Sequence, residues 1–561
     1  MANDKHTRRE FLIQSGVALG GVAAVPRLLG QHSVEAPRRL RGVMVDAARI
    51  PEPLAYYRRV IDFCSDWQLN TVQFRVADDQ GCALRFASVP DLYFHQHAFA
   101  PEELHELARY AQSRGVDLIP ELESFGHTGY ITRSQAYAHL LDADAKQSSE
   151  FTGVIPVHAE TLELFRKLYG EVAEIFPSVY LHGGCDEVNW GGSPLSRKAV
   201  ETKQRHEIWA EYLNSLHHAA DGLGKQFIVW GDMVVRKEPR ILEQLNKSII
   251  VMDWDYVETS SAKLHDMFAK VRSAGCRAIG APALISYRVG PRAGRAQLAN
   301  IDAFADAYAT GREGERDNGS LGVILTNWVP SRYIQNSIWD GFAYAAVAFN
   351  EGTDTAQKAA FRRFVERHYG ASWSHEWDEV FRLMYRLAPQ VHEQGTAPEA
   401  VALRAPWSND EQLSASTRIP SVKSNPFTPL RSLLEQVEKQ VTKNVGDFKA
   451  FSLSAAYLEY IIWRDGIVGN LPHGHEDIAA LIREIAERDR VLAEALSKDW
   501  DQGRFAGSTA KQDQLFGFEP KDQLLYQFKR AADYSASLAS RPGRFLELLS
   551  GSAVLKGRVD L

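Results

Sequence analysis

Several motifs of common enzyme classes are missing from this 561-residue sequence. It has no G-x-S-x-G turn, the motif that carries the nucleophile of many serine hydrolases. Its four cysteines are scattered without metal-ligand spacing, and a chain of this length does not need disulfides to fold. We therefore expect reduced thiols, no metal and no cofactor, and we do not expect serine or metal-assisted hydrolysis.

A basic excess and a long hydrophobic run are missing as well. The formal net charge of -7 disfavours nucleic acid as a partner. The apolar run from Val17 to Val25 is too short for a stable membrane anchor. It follows the paired Arg8 and Arg9, a combination typical of a twin-arginine export signal. We expect residues 1–36 to be this signal and a linker, and the twin-arginine machinery to export a bacterial protein to the periplasm or beyond.

Apolar strand patterns alternate with helix patterns from about residue 40 to 354. Eight strand candidates, among them "LRGVMVD", "VDLIPELE", "QFIVW" and "LGVILTNW", are each followed by a helix candidate. Buried strands separated by helices predict a parallel sheet, and eight such units predict a closed (β/α)8 TIM barrel over residues 37–354. The alternative is an open doubly wound sheet. The glycine-rich G-x-G-x-x-G and G-x-x-x-x-G-K-[ST] loops that would support it are absent.

The strand signal ends at about residue 355, and amphipathic helix patterns follow. They predict an α-helical C-terminal domain over residues 355–561. Its apolar helical faces are compatible both with packing inside one chain and with a homodimer.

Polar and aromatic side chains follow the ends of the predicted strands. In a (β/α)8 barrel these ends meet at one face, where the active site lies. The residues concerned are Asp46, Arg49, Asp78, Asp79, Glu121, Glu123, His127, Asp186, Glu187, Trp230, Asp232, Trp254, Tyr256 and Trp328. Acids that can protonate a leaving oxygen, beside flat rings that can hold a sugar, favour glycoside cleavage.

Four blocks span the ends of successive predicted strands: "RGVMVDAARI", "VADDQG", "GVDLIPELESFGHTGY" and "YLHGGCDEV". They resemble glycoside hydrolase family 20, the β-N-acetylhexosaminidases, and most of all its hexosaminidase D branch. The last block fills the H-x-G-x-D-E pattern of the family with His182, Gly184, Asp186 and Glu187. The resemblance covers roughly residues 40 to 350.

This resemblance implies an exo-acting, retaining enzyme that removes terminal β-linked N-acetylhexosamine from a glycan. The acetamido oxygen of the sugar attacks C1 and forms an oxazolinium ion. By resemblance, Glu187 is the general acid and then the base, while Asp186 orients the acetamido N–H. Because Asp186 is a neighbouring like charge, we expect the pKa of Glu187 to be raised.

The resemblance also implies roles for the residues around the two acids. Arg49 would grip sugar hydroxyls, and Asp78, in preference to Asp79, would support the general acid through His127. Tyr256 would donate to the acetamido oxygen. Three tryptophans would wall the pocket: Trp230, Trp254 and Trp328.

Departures from the family pattern leave open which N-acetylhexosamine is preferred and whether another function applies. Val329 and Pro330 stand where the family usually has an acid, so N-acetylglucosamine and N-acetylgalactosamine both remain candidates. The second strand reads "QFRVADD" instead of a histidine-rich block, and Cys185 replaces a glycine. The other candidate functions are a catalytically silent sugar-binding barrel and a glycosidase for sugars without an acetamido group. The latter would need Glu123 or Asp232 as nucleophile.

Overall fold

Eight parallel strands close into a barrel in this computed structural model, which describes residues 39–143, 153–286, 292–309, 319–390, 409–410, 428–468, 475–505 and 524–550. The strands of the described residues are β1 (Leu40–Asp46), β2 (Thr71–Asp78), β3 (Gly81–Leu84), β4 (Phe94–Phe99), β5 (Asp117–Leu122), β6 (Tyr180–His182), β7 (Gln226–Trp230), β8 (Ile250–Trp254), β9 (Arg277–Ala281), β10 (Ala283–Ile285) and β11 (Ser320–Asn327). The predicted export signal lies outside the described residues.

The barrel order is β1-β2-β5-β6-β7-β8-β9-β11, and β11 returns to pair with β1. Gly42 of β1 is in register with Ile324 of β11 on one side and with Thr71 of β2 on the other. Because the last strand pairs with the first, the barrel has no free edge between them. The predicted (β/α)8 barrel is confirmed, and the open doubly wound sheet is excluded.

Three short strands were not predicted. β3 pairs antiparallel with the end of β2, β4 lies parallel to β3, and β10 pairs with β11. They extend the sheet beyond the strand ends on the side of the barrel where the polar residues lie.

Side chains along each barrel strand point alternately into the barrel and toward the surrounding helices. Leu40 and Met44 of β1 belong to the inner apolar cluster, as do Ile250 and Met252 of β8. The intervening Val43 and Val45 pack instead in the layer between strands and helices. This period of two is the pattern expected of strands whose two faces are both buried.

Ten α-helices accompany the barrel, and seven more α-helices follow it within the described residues. The first group is α1 (Leu54–Asp66), α2 (Pro101–Ser113), α3 (Gly129–Thr132), α4 (Ala159–Ile175), α5 (Pro194–Thr202), α6 (Arg205–Asp221), α7 (Arg240–Gln244), α8 (Ser261–Ser273), α9 (Arg295–Phe304) and α10 (Trp339–Glu351). The second group is α11 (Thr353–Phe364), α12 (His375–Gln390), α13 (Thr428–Glu438), α14 (Val445–Val468), α15 (His475–Gly503), α16 (Leu524–Ala539) and α17 (Pro542–Ser550).

The later helices pack on the barrel through apolar side chains. Ile334, in the loop after β11, is buried with Tyr457 of α14, Leu496 of α15 and Phe528 of α16. From Arg39 onward the described residues form one compact unit. The division into domains at residue 354 stays a prediction.

Two further properties bear on the predictions from sequence. The four cysteine thiols are buried and free. Among the described helices, none combines the length and the apolar character needed to cross a membrane.

Candidate active site

A left-handed turn after β6 carries the adjacent acids Asp186 and Glu187. The strand ends at His182, and positive φ angles follow at Gly184 (64°), Cys185 (74°) and Glu187 (46°). Neighbouring residues of a regular strand point to opposite faces, whereas this turn lets both carboxylates approach the same imidazole. Left-handed backbone costs about 1–3 kcal/mol per non-glycine residue and is concentrated at functional sites.

Glycine is required at position 184. A Cβ there would collide with the carboxylate of Glu123, and the positive φ would strain any other residue. The ring of His182 accepts the Gly184 N–H at Nδ1 over 3.0 Å. Burial lowers the pKa of His182 to about 4, so the neutral ring is available as an acceptor.

His127 bridges two pairs of acids. Its Nε2 lies 3.4 Å from Glu187 Oε2 and 3.8 Å from Asp186 Oδ2. On the opposite edge of the ring, Nδ1 lies 3.3 Å from Asp79 Oδ2 and 3.5 Å from Asp78 Oδ1. His127 itself has a positive φ of 50°.

These acids keep His127 protonated. Burial alone would favour the neutral ring, but the charge of Asp186 and the bonds to Asp79 and Glu187 outweigh it. The pKa of His127 is raised to about 10. An imidazolium therefore faces the carboxylate of Glu187 at neutral pH.

The expected rise in the pKa of Glu187 is wrong for the free protein. Burial favours its neutral form, but the bond to His127 and the charges of His127, Arg49 and Lys237 outweigh burial, and the pKa is lowered. The prediction considered the neighbouring acid only. The imidazolium, 3.4 Å from Glu187 Oε2, has the opposite effect.

Asp79 is better placed than Asp78 to support His127, which corrects the preference drawn from the sequence. Asp79 accepts the Gly129 N–H over 2.9 Å with Oδ1 and turns Oδ2 to the imidazole. Asp78 Oδ2 is occupied by the guanidinium groups of Arg49, at 3.0 Å, and of Arg75. Asp78 thus orients an arginine, and Asp79 orients the histidine.

Arg49 is held from two sides. It donates to Asp46 over 2.9 Å and contacts Asp78, and its guanidinium lies 5.3 Å from the ring centre of Trp328. Burial would raise the pKa of Asp46, but the charges of Arg49 and Arg75 outweigh it and lower that pKa. The ionised Asp46 also accepts the N–H of Val329, whose φ is 52°.

The four predicted aromatic residues form one continuous group. The rings of Trp254 and Tyr256 stack at 4.8 Å, and Trp328 Nε1 donates to the Tyr256 hydroxyl over 2.9 Å. Trp230 lies 5.8 Å from Trp328. It is only 1% exposed, so it forms a floor beneath the other rings and not an outer wall.

The two acids considered as alternative nucleophiles are engaged elsewhere. Glu123 is fully buried and binds Arg75 with one oxygen and the Cys185 N–H with the other. Asp232 Oδ2 accepts the Glu187 N–H over 3.1 Å and so supports the turn. Burial and the charge of Asp186 raise the pKa of Asp232 to about 7. A role as nucleophile is not favoured for either residue.

Among the described residues, two groups have the spacing of metal ligands, and they share His127. They are Asp78, Asp79 and His127, and His127, Asp186 and Glu187. A metal needs the neutral imidazole, whereas the surrounding acids favour the protonated ring. The guanidinium groups on Asp78 compete for the same oxygens. The arrangement fits proton transfer better than metal binding.

Arg75 is the functional residue that the sequence reasoning missed. It is 0% exposed and lies among carboxylates at the upper end of β2. An arginine between the apolar residues Phe74 and Val76 of a predicted strand was the available signal. A buried guanidinium requires buried acids around it.

Comparison with known proteins identifies the barrel. Residues 39–295 match the model of the glycosyl hydrolase family 20 catalytic domain. Residues 39–295 belong to this family. The matched region contains β1 to β10 and the turn with Asp186 and Glu187, and β11 with Trp328 lies beyond it.

Among similar curated proteins, a beta-hexosaminidase subunit beta of Felis catus is 27% identical over 208 residues, or 34% of this chain and 39% of the relative. A Vibrio furnissii beta-hexosaminidase is 25% identical over 265 residues, or 40% of this chain and 42% of the relative. The chain thus spans about two fifths of the length of the curated relatives it matches. A solved beta-N-acetylhexosaminidase aligns over 60% of this chain and 79% of its own, with 19% identity and a TM-score of 0.49.

Proposed function

We propose that this chain is an exo-acting β-N-acetylhexosaminidase that cleaves with retention through substrate-assisted catalysis. The observation that carries the proposal is the left-handed turn at Asp186 and Glu187, which brings both carboxylates within 3.8 Å of His127 Nε2. Membership of family 20 supports the same reaction class.

Asp186 is suited to the acetamido group of the substrate. Its Oδ1 is buried and has no hydrogen-bond partner among the described residues. An acetamido N–H would satisfy this oxygen, and the carboxylate would stabilise positive charge that develops on the nitrogen. A plain 2-hydroxyl group lacks the carbonyl oxygen that must attack C1.

Glu187 and His127 together hold the proton for the leaving group. In the free protein the proton is on the imidazole, because the pKa of His127 is raised and that of Glu187 is lowered. As the C1–O bond breaks, Glu187 takes this proton from His127 and passes it to the leaving oxygen, so Glu187 is again ionised and the imidazole is neutral. The acetamido oxygen meanwhile bonds to C1 and closes the oxazolinium ring.

The second half of the reaction reverses the proton movement. Glu187 accepts a proton from water as the water oxygen bonds to C1, and the C1–oxazoline bond breaks. Two inversions at C1 give net retention. Asp79 fixes the imidazole throughout, and Arg49 holds the hydroxyl groups of the sugar against the Trp328 ring.

The test is turnover of four β-linked nitrophenyl glycosides: the N-acetylglucosaminide, N-acetylgalactosaminide, glucoside and galactoside. We expect turnover of acetamido sugars only, lost in Glu187→Gln and kept in Glu106→Gln, a matched change on the exposed face of α2. Equal turnover of the plain sugars would contradict substrate assistance. Binding without turnover would favour the silent sugar-binding barrel.

We also propose that residues 1–36 direct export through the twin-arginine machinery, with Arg8 and Arg9 as the recognised pair. Fractionation of cells that express the full chain tests this. The double substitution Arg8→Lys and Arg9→Lys should retain the protein in the cytoplasm. Unchanged export would contradict the proposal. The likeness to the hexosaminidase D branch stays a prediction.

A further inference from the structure

Arg75 lies at the centre of four buried carboxylates. Its Nε is 3.1 Å from Glu121, one terminal nitrogen is 2.6 Å from Glu123, and the other contacts Asp78 and lies 3.9 Å from Asp46. All five side chains are fully buried or nearly so. A planar guanidinium with five N–H donors can serve several acids at fixed angles.

Each of these acids has a second bond to a different part of the site. Asp46 and Asp78 hold Arg49, the proposed sugar grip. Glu121 accepts the Trp230 indole N–H over 2.9 Å. Glu123 accepts the N–H of Cys185, the residue just before Asp186, over 3.0 Å.

The face of the guanidinium makes a further connection. It lies 5.1 Å from the ring centre of Trp328, within the range of a cation–π contact. Trp328 in turn donates to Tyr256. The group that neutralises the acids therefore also supports the aromatic wall.

We propose that Arg75 is a positioning residue. It fixes three parts of the site relative to one another: Arg49, the aromatic rings around Trp328, and the turn that carries Asp186 and Glu187. This inference rests on the proposed function. Arg75 acts through Asp46, Asp78, Glu121 and Glu123. Without the cation these acids would repel one another or take up protons, and the groups they orient would move.

Arg75→Lys is the primary test, because it keeps the positive charge and loses the planar set of donors. Arg109→Lys, on the exposed face of α2, is the matched control. We expect kcat per active site to fall by about 100-fold, since a displacement of about 1 Å can cost that much. KM should rise as well, because Asp46 and Asp78 would hold Arg49 less firmly.

Active sites are counted by titration with a thiazoline analogue of the cyclic intermediate, so unfolded protein does not distort kcat. The affinity of the analogue should fall in parallel with kcat/KM. A kcat per active site within about threefold of wild type would overturn the inference, because a purely structural role lowers the folded fraction and leaves the folded fraction fully active.

Glu123→Gln is the second variant, for the case that Arg75→Lys does not fold. It keeps Arg75, but the glutamine NH2 group must face either the guanidinium or the Cys185 N–H. Both of these are donors, so one of the two hydrogen bonds is lost. We expect reduced kcat with a folded protein, and unchanged kcat would count against the inference. A wild type that turns over no acetamido glycoside would instead sink the proposed function itself, so the two failures are distinct.

Discussion

The guanidinium of Arg504 lies 2.9 Å from the carboxylate of Glu52, 452 positions earlier in the chain. Both side chains are 2% exposed. Arg504 also donates to the Pro330 carbonyl over 2.7 Å. The end of α15 thus joins the loop after β1 to the loop after β11, the two loops that meet where Val329 donates to Asp46.

Arg504→Met should lower both stability and activity. The change leaves Glu52 buried without its cation, at a cost of about 3–5 kcal/mol, and releases the Pro330 carbonyl. We expect a lower unfolding midpoint at pH 8 and a fall in kcat/KM of about tenfold. Arg483→Met, on the exposed face of α15, is the control. A wild-type value of kcat/KM in the Arg504 variant would show that this contact of the helical region does not influence the active site.

Glu52→Gln should change how stability depends on pH. Burial raises the pKa of Glu52 to about 7 from 4.5, against the opposing effect of Arg504. Between these values the folded state holds a proton that the unfolded state has lost, so raising the pH through this window destabilises the wild type. The free energy of unfolding should fall by about 3 kcal/mol relative to the variant.

Urea unfolding at pH 5 and pH 8 measures this difference. Glu106→Gln should keep the pH slope of the wild type. A stability difference between wild type and Glu52→Gln that is the same at both pH values would show that the Glu52 pKa is close to its ordinary value.

His127→Asn should move the basic limb of kcat/KM to lower pH. In the wild type, the His127 and Glu187 pair keeps its proton until the pH approaches the raised pKa of His127, about 10. Without the imidazole only Glu187 can hold that proton, so it is lost at lower pH. At pH 7 we expect a loss of about 100-fold or more. The pH profile of His265→Asn, an exposed change on α8, should match that of the wild type.

Asp78→Asn and Asp79→Asn should differ in which kinetic constant changes. Asp79→Asn removes the partner of His127 and should lower kcat by about 10- to 100-fold, as expected when a carboxylate orients a catalytic histidine. Asp78→Asn loosens Arg49 and should mainly raise KM. The reverse pattern would restore Asp78 as the partner of the histidine.

Periodicity and the strand-end rule were enough to predict the barrel and the face where the site lies. Each barrel strand was visible as an apolar run, and residues at strand ends in such a barrel must converge. β3 and β10 escaped because they have only four and three residues. β4 escaped because its sequence, FHQHAF, is not an apolar run. The pairing of Arg504 with Glu52 escaped because a sequence does not state which distant charges meet.

The details of the site needed distances. The sequence makes Asp186 the obvious neighbour of Glu187, but the contact with His127 decides the direction of its pKa shift. Asp78 and Asp79 are equivalent as adjacent acids, and only the positions of Arg49 and Arg75 distinguish them. In the sequence Arg75 is one polar residue in a strand, and only the structure shows the four acids around it.

The contact between Arg504 and Glu52 also affects when, during synthesis, the protein becomes active. A ribosome makes β11 and every proposed catalytic residue long before it reaches position 504. Until α15 has emerged and docked, the loops after β1 and β11 are not tied together. Full activity should therefore arise late in synthesis, after α15 has docked.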